Sequence, residues 1–140
     1  MDQRISLITL AVADVGRSTA FYQALGWKRW TGIDAPDITF FQCGAMVVAL
    51  YAAAALAADT GLDAPRPGGI TLAVNMRGKD EVTATLDQAI SVGATLLKAA
   101  QDTPWGGFVG YFADPDGHPW EVAWVPQFPL ADDGALILPG

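Results

Sequence analysis

Glu121 is the side chain in this sequence best placed to do chemistry. It stands in Trp120-Glu121-Val122-Ala123-Trp124-Val125, a strand-like run that is otherwise apolar. A carboxylate there points either to solvent or into a site. In a site it can act as a general acid or base, or as counter-charge for a cationic ligand. The plainer alternatives are a carboxylate paired with Arg4, Arg29 or a threonine hydroxyl, or a residue with no present task. Just before it lies Phe112-Ala113-Asp114-Pro115-Asp116-Gly117-His118-Pro119. Pro115 and Gly117 mark a tight turn, and Asp114 and Asp116 can close it by accepting backbone N–H groups. The whole stretch reads strand, turn, strand, and simple pairing across the turn sets Phe112 opposite Glu121.

Other reactive residue types are scarce. The single histidine, His118, sits in the turn, and the single cysteine, Cys43, excludes an internal disulfide. Near a strand end, Cys43 reads as a small buried hydrophobe rather than a ligand. Trp105 is different. It stands in Thr103-Pro104-Trp105-Gly106-Gly107-Phe108, a glycine-bearing loop, where a large apolar side chain lacks a core role. It is expected to close over a ligand or to fill a dimer contact.

The elements that hold these residues follow from periodicity. Ile5 to Val12 alternates as a strand, with Ile8, Leu10 and Val12 on one face and Leu7, Thr9 and Ala11 on the other. Asp14 caps a helix over Gly16 to Leu25, and Gly26 ends it. Trp27 to Thr31, Asp37 to Cys43 and Ala45 to Tyr51 read as strands. Ala52 to Asp59 is alanine-rich and suits a short helix, and Thr60 to Gly69 reads as a linker. A second series follows: a strand from Ile70 to Val74, a helix from Lys79 to Val92 stopped by Gly93, then strands at Ala94 to Lys98, Phe108 to Ala113 and Pro119 to Val125. The tail from Pro126 is expected to pack through Phe128, Leu130, Leu136 and Ile137.

The two series are copies. Ile8-Thr9-Leu10-Ala11-Val12 recurs letter for letter as Ile70-Thr71-Leu72-Ala73-Val74, each copy leads into a helix that ends in glycine, and Gly44 lines up with Gly117. The expected fold class is α+β: two tandem βαβββ units form a curved mixed-sheet cup with helices on the convex face. One domain spans 1–140, with unit one at about 5–51, a linker at 52–68, unit two at 69–125 and a tail at 126–140. Alternation then lines the concave face with Leu7, Thr9, Ala11, Met46, Val48, Leu50, Gly69, Thr71, Ala73, Phe112 and Glu121. Ile70, Leu72 and Val74 should lie under the helices with Ile8, Leu10 and Val12.

Composition narrows the function. A chain that is 51% hydrophobic and 16% charged is globular rather than disordered. A net charge of −7 opposes phosphate backbones, so no nucleic-acid partner is expected. The apolar runs are too short and broken to span a bilayer. The start, Met1-Asp2-Gln3-Arg4, lacks the basic and apolar regions of a signal peptide, so a cytoplasmic protein with no membrane partner is expected.

Leu10-Ala11-Val12-Ala13-Asp14 with Ser18-Thr19-Ala20-Phe21-Tyr22 and Leu25-Gly26-Trp27, together with Phe112 to Val122, resembles the vicinal oxygen chelate superfamily. That superfamily includes glyoxalase I, extradiol dioxygenases, fosfomycin resistance proteins and bleomycin-binding proteins, and the resemblance covers roughly residues 5 to 125. In its metal-dependent members, four inward-facing His, Glu or Gln side chains hold a divalent cation. Carried over one position at a time, the resemblance puts those four at Leu7, Val48, Gly69 and Glu121. Only Glu121 is a donor, whereas catalytic sites normally use about three protein ligands. The expectation is therefore a small-molecule-binding protein with an aromatic-lined cup, no cofactor and no metal. Its ligand would touch Leu7, Thr9, Val48, Gly69, Thr71, Trp105, Phe108 and Phe112, with Glu121 as the acid–base or charge-bearing group. The alternative is a metal-dependent or acid–base lyase or dioxygenase-type enzyme of the same superfamily. A third possibility is a non-catalytic protein whose surface serves a partner. The resemblance also implies a homodimer.

Overall fold

A computed structural model describes residues 1, 3, 5–32, 34–63 and 66–138. The chain divides into two compact units, Met1–Pro67 and Gly68–Gly140. Unit one runs β1 (Leu7–Val12), α1 (Val15–Ala24), β2 (Ile38–Cys43), β3 (Met46–Ala52) and α2 (Ala53–Thr60). Unit two runs β4 (Leu72–Asn75), α3 (Lys79–Ser91), β5 (Thr95–Asp102), β6 (Phe108–Ala113) and β7 (Pro119–Trp124). The α+β class and the tandem order are those expected, and hydrogen bonding gives each unit its own sheet. The orders are β1-β3-β2 and β4-β7-β6-β5. In both, the first strand pairs parallel with the last, and the other pairs are antiparallel. Among the described residues, no helix is long and apolar enough to cross a membrane.

In unit one, Asp14 caps α1 as expected, its Oδ1 accepting the Arg17 N–H at 2.8 Å. The helix buries Phe21 and Tyr22 against the sheet face made by Leu10, Val12, Phe41, Val48 and Leu50. Tyr22, Trp27 and Phe41 form an aromatic cluster with ring centroids 4.9 to 6.0 Å apart. The strand expected at Trp27 to Thr31 is reduced to one bridge, Arg29 to Phe41, with the Trp30 N–H donating to the Phe40 carbonyl at 2.9 Å. A single bridge leaves Trp30 half exposed instead of fixed in a ladder.

In unit two, α3 sets Val82, Leu86 and Ala89 against the sheet face of Gly110, Phe112, Trp120 and Val122. Gly110 is required by space. A Cβ there would lie 2.5 Å from Leu86 Cδ1 and 3.0 Å from the Ala100 backbone nitrogen. Ile70, expected under the helix, is 70% exposed, because β4 begins only at Leu72 and the preceding residues form a turn. The tail is held through Arg77, which donates to the Ala131 and Asp132 carbonyls at 2.7 and 3.3 Å. Leu130 and Leu136 are bridged, but Phe128, Leu136 and Ile137 remain substantially exposed.

The turn between β6 and β7 is closed by a buried carboxylate. Asp114 is 3% exposed, and its Oδ1 accepts the Asp116 and His118 N–H groups, each at 2.9 Å. The Asp114 N–H donates to the His118 carbonyl at 3.0 Å, and the Gly117 N–H donates to the Asp114 carbonyl at 2.9 Å. Gly117 has φ +89, a region that other residues enter only with strain. Asp114→Ala strands two N–H donors and is expected to destabilise unit two by about 1–3 kcal/mol in urea denaturation, with Asp114→Asn losing less. Gly110→Ala is expected to cost about 1–3 kcal/mol by overpacking against a backbone that cannot retreat, and urea midpoints read this directly.

Candidate functional site

The turn fixes which residue faces Glu121. Because Ala113 pairs with Pro119, the ladder sets Phe112 against Trp120 and Tyr111 against Glu121. Gly110, Phe112, Trp120 and Val122 share the face under α3, so Tyr111 and Glu121 share the opposite, open face. The Tyr111 hydroxyl donates to Glu121 Oε2 at 2.8 Å. The expected partners of Glu121 were Arg4, Arg29 or a threonine; the partner is a phenol. Arg4 lies outside the described residues. Arg29 instead faces Asp34, at 3.9 Å.

Three of the sequence-expected contacts fall on the wrong face. Phe112 stacks on Trp120 with ring centroids 6.1 Å apart and planes at 6°, inside the core of unit two. Phe108 lies on the same helix-side face, opposite Trp124, and the Lys79 ammonium sits 5.4 Å from its ring centroid. Val48 is buried on the α1 side of unit one, paired with Ile8 and Phe41. Leu50 goes with it. Val47, Ala49 and Tyr51 instead share the open face with Leu7, Thr9 and Ala11.

For Val48 and Leu50 the cause is the repeat alignment. Strand register equates Ala11 opposite Tyr51 with Ala73 opposite Glu121. Tyr51 comes seven residues after Gly44, and Glu121 comes four after Gly117. The glycines are therefore not equivalent. The β2–β3 hairpin continues its ladder to Cys43 opposite Met46, where unit two has already opened into the Asp114–His118 turn. A slip by an odd number of residues moves a side chain to the other face. The structural counterpart of Glu121 in unit one is thus Tyr51, whose hydroxyl donates to Asp59 Oδ2 at 2.8 Å.

The remaining expected positions lie as follows. Leu7 is 45% exposed at the start of β1, and Thr9 shares its face. Gly69 and Thr71 are exposed in the segment before β4. Trp105 is 52% exposed in the loop between β5 and β6. That loop is shaped by Thr103, whose Oγ1 accepts the Gly107 N–H at 2.9 Å, while Gln127 Nε2 donates to the Trp105 carbonyl at 3.3 Å.

Each unit carries a hollow. In unit one it measures about 390 Å³ and is mostly apolar, lined by Leu7, Trp30, Phe40, Gln42 and Val47 among others. In unit two it measures about 240 Å³ and is lined by Lys98, Gln101, Asp102, Thr103, Trp105 and Tyr111 among others. The sequence expectation set Phe112, not Tyr111, opposite Glu121 and did not name Lys98 as a site residue. Counting pairs outward from a turn closed between Asp114 and His118 would have found Tyr111. Among the described residues, no three His, Cys, Asp or Glu side chains are grouped to hold a metal ion.

Comparison with known proteins agrees with the fold. The family model described as Glyoxalase/Bleomycin resistance protein/Dioxygenase superfamily matches residues 4–122. A glyoxalase-related enzyme from Fulvimarina pelagi is similar at 36% identity and TM-score 0.90, over 99% of both chains. A lactoylglutathione lyase from Agrobacterium tumefaciens shares the fold at 19% identity and TM-score 0.69, over 90% of this chain and 96% of that one. An uncharacterised protein of Mycobacterium bovis is 36% identical over 55 residues, which are 39% of this chain and 36% of that protein. The match thus spans little more than a third of that curated relative.

The Tyr111–Glu121 bond has a measurable signature. Accepting the phenol's hydrogen bond, Glu121 holds the Tyr111 ionisation above its ordinary value, with partial burial adding to the effect. The neutral phenol is the form the fold favours. Its contribution to stability is complete below the ordinary tyrosine range near about 10 and disappears as pH climbs through the raised value. Glu121→Gln is expected to move the onset of tyrosinate absorbance to lower pH. The stability gap between wild type and Tyr111→Phe is expected to stay constant below that range and to narrow above it.

Proposed function

The chain belongs to the glyoxalase/bleomycin resistance protein/dioxygenase superfamily, and on that footing we propose that it binds a small organic molecule on the open face carrying Glu121, without a catalytic metal. The observation that carries this reading is the Glu121 carboxylate, hydrogen-bonded to Tyr111 on the open face of the sheet whose Tyr111 also lines the Trp105 hollow. A half-buried carboxylate with one neutral donor keeps its charge available for a cationic group on a ligand. Trp105 offers an aromatic surface for the ligand body. Leu7, Thr9, Gly69 and Thr71 stay as proposed binding positions within their own units, whereas the helix-side Val48, Phe108 and Phe112 do not.

The donor set does not fit the superfamily's divalent cation. With the register corrected, the four positions carried over from metal-dependent members are Leu7, Tyr51, Gly69 and Glu121. Leu7 and Gly69 have no side-chain donor, and the Tyr51 phenol is engaged with Asp59. One carboxylate falls short of the roughly three protein ligands that a catalytic metal normally requires.

A second reading is favoured by the same hydrogen bond. Tyr111 and Glu121 form a phenol–carboxylate couple able to hand a proton to, or take one from, a group bound at the hollow, as an acid–base enzyme would. We also propose a cytoplasmic homodimer, on the strength of the superfamily resemblance.

Two measurements test the main reading. Elemental analysis after purification without added metal is expected to find well under one divalent ion per chain, and a stoichiometric ion would overturn it. In a thermal-shift screen of small aromatic and cationic compounds, Glu121→Gln is expected to keep the fold and weaken the best cationic hit by about fivefold. Unchanged affinity would remove Glu121 from the binding role.

A further inference from the structure

We propose that the hollow beside Trp105 takes the anionic end of the ligand, a carboxylate on an aromatic or conjugated body, with Lys98 as its counter-charge. This deepens the reading just given and rests on the open face of unit two being a binding face. The supporting arrangement is a row across the sheet. Lys98 pairs with Tyr111, Tyr111 with Glu121, and Glu121 with Ala73. Residues in register on neighbouring strands share a face. Cation, phenol and carboxylate therefore follow one another on the open face, spaced by about 4.8 Å per strand.

What decides the sign of the guest is which polar groups are already engaged. Asp102 lines the hollow, but its carboxylate is held by the Lys79 ammonium at 2.5 Å. Thr103 Oγ1 is committed to Gly107, accepting its N–H and donating to its carbonyl. The Tyr111 hydroxyl donates its hydrogen bond to Glu121. Lys98 also lines the hollow and has no carboxylate partner among the described residues. The charge offered to a guest is therefore the Lys98 ammonium, with the Gln101 amide as a neutral donor beside it. A volume of about 240 Å³ suits a carboxylate and a single ring, and the exposed Trp105 indole supplies a surface for the ring to lie on.

Lys98 and Glu121 stand two strands apart, about 10 Å at the usual strand spacing. A ligand with a carboxylate at one end and a cationic nitrogen at the other would engage both. The inferred class is accordingly an elongated aromatic zwitterion, rather than a simple amine.

Ligand-observed NMR titration with phenylacetate and with phenethylammonium separates the two ends. Lys98→Met is expected to weaken phenylacetate about fivefold and to leave phenethylammonium within about twofold; Glu121→Gln should do the reverse. Trp105→Ala is expected to weaken both probes. Lys98 is exposed, so Lys98→Met is expected to fold, and Lys98→Gln provides a second variant that also removes the charge. If phenylacetate fails to bind wild type, or binds the Lys98 variants unchanged while Glu121→Gln still weakens phenethylammonium, this inference falls alone. If Glu121→Gln leaves phenethylammonium unchanged while Lys98→Met weakens phenylacetate, the Glu121 reading falls and the anionic site stands.

Discussion

The Asp114 carboxylate is the constraint on which the geometry of unit two depends. Nearly sealed from solvent, it binds two backbone N–H groups of its own turn and so fixes where β6 ends and β7 begins. With Ala113 locked opposite Pro119, every later pair is determined, because side chains in a strand alternate strictly. Tyr111 meets Glu121 on one face, and Phe112 meets Trp120 on the other. A one-residue slip would turn β7 over relative to β6, setting Glu121 opposite Phe112 under α3 and Trp120 on the open face. The local hydrogen bonds of a loop thereby decide which residues are available for chemistry three residues along each strand.

Much of the fold could be read from residue types. Asp14 announced its helix because an aspartate before an amphipathic run has one favoured use. The alternation in β1 correctly separated Leu10 and Val12 from Leu7. The short helix at Ala53–Thr60 followed from its alanines. The site was less legible. Alternation tells which residues share a face within one strand, but not which face of the next strand adjoins it. That depends on turn length, and the two units differ there: β2 and β3 continue pairing to Cys43 and Met46, while β6 and β7 open at Ala113 and Pro119. Matching Gly44 to Gly117 treated two different turns as one, so Val48 came out on the wrong side. The identical pentapeptides were a sound guide because their shared Leu-Ala-Val lies inside a strand in both units, at Leu10–Val12 of β1 and Leu72–Val74 of β4.

The open faces of the two units differ in their chemistry. The hollow of unit one is largely hydrocarbon and indole, with Leu7, Trp30, Phe40 and Val47 around it. That of unit two is ringed by polar groups, most of them already paired. Pairing matters more than composition here. Lys79 neutralises Asp102, which pairs with Phe108 on the helix-side face, and also lies over the rings of Phe108 and Trp124. Glu121 and Lys98 then remain as the opposed charges of a surface whose remaining carboxylate is spoken for.

β5 is an edge strand of the unit-two sheet, and its pairing with β6 shifts register between Leu96 and Lys98 and again between Lys98 and Gln101. Leu96 and Leu97 are left about half exposed on this border strand. A long, flat border carrying leucines would template the addition of further strands and, in time, fibres. The interrupted ladder bends that border and breaks its row of free amides and carbonyls, so an incoming chain finds no continuous track to follow. The irregularity beside Lys98 thus also interrupts a template for strand addition.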